Sequence, residues 1–74
     1  MENRNPTQVD YILMYMNQFG SITTYEAFTE LGITRLGARI SEMRKNGHNI
    51  IGEIERRKNR FGKSVTFMRY RLGE

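Results

Sequence analysis

A chain of 74 residues is long enough for one small domain, and no cysteine is present to form a disulfide, a thiolate metal site or a nucleophile. The composition, with 38% hydrophobic and 11% aromatic residues, is typical of a folded chain. No apolar stretch is long enough to span a bilayer, and no basic start followed by an apolar run suggests a signal peptide. We therefore expect a soluble, cytoplasmic protein with a flexible tail at residues 1–5 and a single domain at residues 6–74.

The net charge of +4 is distributed unevenly along the chain. Residues 1–34 contain one basic and four acidic side chains, which gives −3, whereas residues 35–74 contain eleven basic and four acidic ones, which gives +7. A strongly basic half attracts polyanions, and nucleic acid is the commonest of these partners.

The first predicted helix has Asn5 as its N-cap, Pro6 as its first residue and Gln8 as the last member of a capping box. Gly20 is expected to end this helix. Apolar residues at spacings of three and four define its predicted core face: Val9, Ile12, Leu13, Met16 and Phe19.

A short extended segment at residues 21–23 leads into the second predicted helix, residues 24–31. Thr23 and Glu26 have the spacing of a capping box, and Gly32 is expected to stop the helix. The predicted core face of this helix contains three residues: Ala27, Phe28 and Leu31.

Ile33 is predicted to fill the connection to a third helix at about residues 34–45, which Thr34 caps and Asn46 and Gly47 end. Three apolar residues define its core face: Leu36, Ile40 and Met43. The opposite face of this helix is therefore expected to lie in solvent.

From His48 onward the apolar residues alternate, which predicts two strands paired as a hairpin. The first strand is marked by Ile50 and Ile54, and the second by three residues: Met68, Tyr70 and Leu72. Between them, residues 56–63 carry five positive charges and no negative one.

This order of elements predicts an α+β winged helix-turn-helix fold with three helices, a short first strand and a C-terminal hairpin wing. In such a fold the third helix enters the major groove of double-stranded DNA, while the wing lies on the backbone or in the minor groove. Eight candidate DNA-binding residues lie on or before the third helix: Thr34, Arg35, Gly37, Ala38, Arg39, Ser41, Arg44 and Lys45. Five more lie in the wing: Arg57, Lys58, Asn59, Arg60 and Lys63.

The chemistry of these side chains suggests different roles on DNA. Arg35 and Ser41 can hydrogen-bond to bases or phosphates, and Ala38 can contact a thymine methyl group. Backbone contacts are expected from three basic residues: Arg39, Arg44 and Lys45. Unpaired amides at the start of the helix, near residues 34–37, favour a bound phosphate.

Structural alternatives stand beside several of these functional hypotheses. Arg39 can instead pair with Glu26 or Glu30 of the second helix, and Gly37 can instead permit tight packing between helices. Residues 56–63 can be a solvated hairpin tip, with Phe61 packed in the hairpin rather than on DNA. On the first helix, two outward apolar residues can form a dimer contact: Tyr11 and Met14.

Residues 20–50 resemble a small phage and prophage helix-turn-helix family. The resemblance rests on these residues: Ile22, Thr23, Glu26, Ala27, Leu31, Gly32, Ile33, Arg35, Leu36, Ala38, Arg39, Ile40, Met43, Arg44, Gly47 and Ile50. It implies a winged helix of bacteriophage or mobile-element origin that binds DNA. The chain departs from the family pattern at Gly37, where serine is common, and at Met43, where leucine is common. The wing lies outside the resemblance.

We therefore expect a DNA-binding protein that acts as a phage-encoded transcriptional regulator or accessory factor, either alone, as a homodimer or with a protein partner. Two alternatives remain open: a module that binds or inhibits an acidic host or phage protein, and an excisionase-like factor that bends DNA. RNA binding is disfavoured because the strands lack paired aromatic residues for stacking bases. No enzymatic activity, cofactor, metal, small-molecule substrate or membrane partner is expected, since His48 has no ligand partner nearby.

Overall fold

The computed structural model describes residues 6–73, so the predicted tail at residues 1–5 and the predicted cap Asn5 lie outside the described residues. Three helices pack against a three-stranded antiparallel sheet, which confirms the predicted α+β architecture. The elements follow the predicted order: α1 (Gln8–Phe19), β1 (Ile22–Thr23), α2 (Thr24–Leu31), α3 (Leu36–Lys45), β2 (Ile50–Lys58) and β3 (Ser64–Leu72).

Capping boxes start the first two helices. The Thr7 hydroxyl accepts the Asp10 amide at 3.2 Å, and the Asp10 carboxylate accepts the Thr7 amide at 2.9 Å. The predicted start of α1 at Pro6, with Gln8 in its capping box, was therefore wrong, because the helix begins two residues later, where Thr7 and Asp10 satisfy its free amides. The predicted box at the start of α2 is confirmed, with bonds of 2.9 and 3.1 Å between Thr23 and Glu26.

The third helix begins later than predicted, at Leu36 rather than Thr34. Its N-cap is Arg35, which makes no side-chain capping hydrogen bond, so the prediction that Thr34 caps α3 was wrong. The predicted end is confirmed, since Asn46 is the C-cap and Gly47 follows with a φ of 96°.

The core is formed where the helices meet the base of the sheet. Its fully buried members are Ile12, Met16, Ile22, Ala27, Ile33, Leu36, Ile40, Met43 and Ile50. Two aromatic residues predicted on core faces are wrong, because Phe19 is 60% exposed and Phe28 is 58% exposed. Phe19 lies at the end of α1 and contacts Tyr15 with 4.6 Å between ring centroids. Phe28 lies on a helix of eight residues that buries only Ala27 fully, so the core does not extend to it.

The strand order is β1-β3-β2, so β3 is central. β1 is short and pairs only Ile22 with Tyr70 and Thr23 with Arg69. β2 and β3 pair continuously from Ile50 opposite Leu72 to Lys58 opposite Ser64. Strands of this length extend about 30 Å, so the distal part of the hairpin projects from the helices as a wing, and the molecule measures 53 × 25 × 21 Å. Among residues 6–73, no helix is long and apolar enough to cross a membrane.

Candidate nucleic-acid interface

The solvent-facing side of α3 carries most of the residues predicted to bind DNA. Leu36, Ile40 and Met43 turn inward and are at most 1% exposed. The predicted residues on the other side are exposed or half-buried: Thr34, Arg35, Gly37, Ala38, Arg39, Ser41, Arg44 and Lys45. The helical periodicity of α3 therefore displays these residues on one solvent-facing surface.

The start of α3 differs from the starts of α1 and α2. Those two helices satisfy their first amides with capping boxes, whereas the N-cap of α3, Arg35, makes no side-chain capping hydrogen bond. The first amides of a helix carry partial positive charge, so an uncapped and exposed helix start is suited to a phosphate.

Gly37 lies in this first turn, and the space beside it is open. A Cβ atom built on Gly37 would have no heavy atom within 4 Å. The alternative that Gly37 permits tight packing against the second helix is therefore wrong. The bare backbone at this position faces solvent, where a DNA backbone can approach it closely.

Arg39 does not pair with either acidic residue of α2 that the sequence suggested. Its Nη1 atom lies 3.6 Å from the carboxylate of Glu42, one turn further along α3. The predicted pairs with Glu26 and Glu30 are therefore wrong, because the side chain runs along its own helix. The Nε atom of Arg39 is buried and makes no hydrogen bond within the described part of the chain.

Arg44 holds the end of α3 against the sheet. Its Nη2 and Nε atoms donate to the carbonyl oxygen of Ile50 at 3.0 and 3.2 Å. Its guanidinium also lies 5.9 Å from the centroid of the Tyr70 ring. These contacts engage the Nε and Nη2 atoms of Arg44 within the fold, so the side chain positions α3 relative to the wing.

The pairing register divides the basic residues of the wing between two faces. Side chains of directly paired residues share a face, and successive residues alternate. Ile50, paired with Leu72, packs on the core, so the same face carries Arg56 and Lys58 further along β2. Arg57 lies on the opposite face of the sheet. Arg56, which was missing from the predicted site, lies on the same face as Lys58.

Asn59 shapes the turn at the tip of the wing. Its side-chain oxygen accepts the amides of Phe61 and Lys63 at 2.9 and 3.0 Å, and its own amide donates to the Lys63 carbonyl at 2.8 Å. Gly62 completes the turn with a φ of 80°. The tight turn displays Arg60 and Lys63, while Asn59 is largely engaged in holding it.

Phe61 stands at the outermost point of this turn. The alternative that it packs within the hairpin is wrong, because it is 89% exposed. An exposed aromatic ring beside two cations is compatible with contact to a sugar or a base.

A cluster around Arg69 links the wing to the first strand and α2. Arg69 donates to both carboxylate oxygens of Glu55 at 2.9 Å and to the Ser21 hydroxyl at 2.9 Å, and lies 3.8 Å from Glu26. The hydrogen bond from Arg69 lowers the pKa of the Glu55 carboxyl, and the same bond raises the pKa of Arg69. Sequence patterns missed this cluster, since its members are 14 and 48 residues apart.

A groove of about 300 Å³ lies beside this cluster, on the opposite face from the core. It is lined by Thr23, Tyr25, Glu26, Arg57, Phe67 and Arg69. The Arg57 guanidinium lies 5.9 Å from the Phe67 ring centroid, so it is drawn toward this groove and away from α3.

Throughout residues 6–73, no three acidic or histidine side chains are grouped to hold a metal ion.

Comparison with known proteins identifies the family of this chain. A family model described as a winged helix-turn-helix domain matches residues 7–74. The match includes α3 and the whole wing. The wing, unlike α3, lay outside the resemblance seen in the sequence. Neither the curated proteins nor the solved structures contain a match to this chain.

Proposed function

This chain belongs to the family of winged helix-turn-helix domains, and from that membership we propose that it binds double-stranded DNA through α3 and the wing. Domains of this family are typically DNA-binding modules without enzymatic activity, and the predicted fold is confirmed by the family match. In the proposed complex, α3 enters the major groove and the wing follows the flanking backbone or enters the minor groove.

The main support for this proposal is the start of α3, which has no side-chain cap and is exposed to solvent at Arg35 and Gly37. Its N-cap, Arg35, makes no side-chain capping hydrogen bond, and Gly37 leaves the backbone accessible. A phosphate bound there would orient the helix, so that Arg35 and Ser41 meet base edges or phosphates and Ala38 meets a thymine methyl group. Lys45 at the far end of the helix is placed to contact a phosphate on the flanking backbone.

The wing supplies a second group of cations, partly on the helix side of the sheet and partly in its turn. Arg56 and Lys58 share the face of β2 that packs on the core at its base, and Arg60 and Lys63 extend from the turn. We expect these four residues to contact phosphates or the minor groove, where arginine is attracted by concentrated negative potential. Arg57, on the other face and beside Phe67, is expected to contribute less.

One module of this size contacts only a few base pairs, so useful specificity calls for a dimer, repeated sites or a partner protein. We propose that the chain acts as a transcriptional regulator or accessory factor at such a site. A phage or prophage origin is part of this proposal and rests on the resemblance of residues 20–50 alone.

The test is a fluorescence-anisotropy titration of random duplex DNA at two salt concentrations. Arg35→Gln and Lys58→Gln should each weaken binding and make the salt dependence shallower by about one phosphate contact. Arg71→Gln is the matched control, because it removes the same charge from a residue that lies 3.8 Å from Glu53 on the opposite face of the sheet.

Equal losses in all three variants would contradict the proposed surface and indicate an effect of net charge alone. No binding at low salt by a chain that circular dichroism shows to be folded would contradict DNA binding altogether. An acidic protein partner would then be the better hypothesis.

A further inference from the structure

The tip of the wing presents an aromatic side chain to solvent. Among the large apolar side chains of residues 6–73, Phe61 is the most exposed, at 89%. An apolar ring in water is unfavourable, and contact with a partner removes it from water. Phe61 contributes nothing to the core, so its ring is free to make such a contact.

The turn holds Phe61 in a fixed place. The side-chain oxygen of Asn59 accepts the amides of Phe61 and Lys63. The carbonyl oxygen of Asn59 accepts the Gly62 amide at 2.9 Å. These bonds fix the backbone on both sides of Phe61. A fixed turn loses little conformational freedom on binding, so the ring is pre-organised for contact.

The charges around the ring favour nucleic acid as its partner. Residues 56–63 carry five positive charges and no negative one, and two of these cations, Arg60 and Lys63, lie in the turn with Phe61. A phenyl ring has no donor for a phosphate, so on DNA it gains only from sugars or the faces of bases. The cations therefore bind phosphates, while the ring reaches further into the duplex.

The wing is long enough to reach the minor groove while α3 lies in the major groove. Arg44 joins the end of α3 to Ile50 at the base of β2. From Ile50 to Lys58 the strand extends about 26 Å, at about 3.3 Å per residue. The major and minor grooves on one side of a duplex are half a helical turn apart, roughly 17 Å. The tip of the wing can therefore span this separation.

The width of the minor groove limits what can enter it. This groove is about 6 Å wide, and a two-stranded ribbon fits only the wider major groove. Only side chains at the turn can therefore enter, and Arg60 and Phe61 are both exposed there. Gly62 follows them without a side chain, so the backbone of the turn can approach the duplex closely.

We propose that Phe61 enters the minor groove as an apolar wedge, partly unstacks one base step and bends the duplex toward the major groove. This inference rests on the proposed binding of α3 and the wing to DNA, and it adds DNA bending to that function. Apolar side chains inserted between base steps kink DNA in this way, and arginine beside the wedge is attracted by the negative potential of the groove.

The wedge gives the protein a sequence preference without a hydrogen bond to a base. Pyrimidine–purine steps such as TA and CA unstack and kink easily, whereas runs of adenine are stiff. Half a helical turn is about five base pairs, so the preferred step lies at about this distance from the centre of the α3 contact. A flexible step at that position is the feature of DNA that the wing selects.

The test uses two duplexes of about 20 base pairs, or two helical turns. In the first, one strand is all purine except for the thymine of a single central TA step. In the second, adenine replaces this thymine, so no pyrimidine–purine step remains. The adenine that follows is replaced by 2-aminopurine in both, which becomes more fluorescent on unstacking. Dyes at the two ends report bending by energy transfer, and fluorescence anisotropy measures affinity.

Wild-type protein should prefer the TA duplex, raise its 2-aminopurine fluorescence and bring its ends closer together. Phe61→Ala should lose these changes and bind the TA duplex roughly tenfold less tightly. Its salt dependence should match wild type, since no charge is removed. Phe61→Leu should retain the bend, because leucine also acts as a wedge. The matched control is Phe19→Ala, which removes a 60% exposed ring from α1 and should behave as wild type.

Three results would overturn the wedge and leave the proposed DNA binding intact. The first is wild-type protein that binds both duplexes and leaves them straight and stacked. The second is bending that persists in Phe61→Ala. The third is an equal loss of affinity for both duplexes in Phe61→Ala, which indicates a sugar contact without unstacking. Failure of folded wild-type protein to bind either duplex at low salt would overturn the wedge and the proposed function together.

Discussion

The guanidinium of Arg44 donates two hydrogen bonds to the backbone carbonyl of Ile50, at 3.0 and 3.2 Å. This contact joins the last turn of α3 to the first residue of β2, and it lies at the junction of the proposed helix and wing surfaces. Arg44 was predicted from the sequence as a DNA-backbone contact. In the structure Arg44 positions α3 against β2, and an experiment can separate this role from a phosphate contact.

Arg44→Lys keeps the charge but loses the planar donor group that binds the carbonyl at two points. We expect it to lower the free energy of unfolding by about 1 kcal/mol in urea denaturation, since hydrogen bonds to charged groups contribute about this much or more. Lys45→Ala, the neighbouring exposed cation, should leave stability unchanged and weaken DNA binding. Unchanged stability in Arg44→Lys would show that the carbonyl contact contributes nothing to the fold.

Gly37→Ala should stabilise the folded chain while weakening its binding to DNA. The added methyl group meets no atom within 4 Å, and alanine is favoured over glycine in a helix by up to about 1 kcal/mol. The same methyl group would hinder close approach of a DNA backbone to the first turn. Thermal denaturation and a duplex titration of the one variant measure both effects, and higher stability with unchanged affinity would remove Gly37 from the interface.

Neighbouring cations on the two faces of the wing should differ in their effect on DNA binding. Lys58→Ala should make the salt dependence of DNA binding shallower by about one phosphate contact, whereas Arg57→Ala should change it little. The reason is that Lys58 lies on the helix side of the sheet, while Arg57 stacks on Phe67 on the other side. A larger effect for Arg57 would mean that the wing meets DNA through its other face.

Acid should weaken the contact between Glu55 and Arg69. The hydrogen bond from Arg69 lowers the pKa of Glu55 in the folded chain below its unfolded value of about 4.3. A depressed folded pKa gives stability that is fully present above the unfolded pKa and is lost as the pH falls through the folded pKa. Glu55→Gln should therefore destabilise the chain at neutral pH, with a difference from wild type that shrinks below about pH 4.

Urea denaturation across this pH range measures that difference. Glu53→Gln provides the control, because Glu53 meets its cation Arg71 only at 3.8 Å and both side chains are largely exposed. A constant difference between Glu55→Gln and wild type at every pH would show that the Glu55 charge does not contribute through Arg69.

Local patterns in the sequence were sufficient for most of the fold. The buried face of α3, the capping box of Thr23 and Glu26 and the helix stop at Gly32 depend on residues within one or two turns of each other. Periodicity could not show how far the core extends, so Phe28 was placed inside it and is 58% exposed. At the start of α1 the motif of Asn5, Pro6 and Gln8 predicted the wrong cap, and the capping box of Thr7 and Asp10 was missed.

Functional positions were harder to predict because they depend on contacts between distant residues. Successive residues of β2 point to opposite faces, and the packing of Ile50 on the core shows that Lys58, not Arg57, lies on the helix side. Arg69 was not singled out at all, because its partners Glu55 and Ser21 lie far away in the chain. The clustering of basic residues in the sequence thus indicated the basic surface. The side of the wing that faces the helices could be assigned only from the structure of the sheet.

The central claim is that α3 and the helix side of the wing form a single DNA-binding surface. It is tested most directly by following the ¹⁵N amide spectrum while a short duplex is added. We predict that the largest shifts fall on residues 35–38, 56, 58 and 60–63, with little change around Tyr25, Phe67 and the outer face of α1. Shifts concentrated on the groove of Tyr25 and Phe67 or on α1 would contradict the claim and place the interface elsewhere.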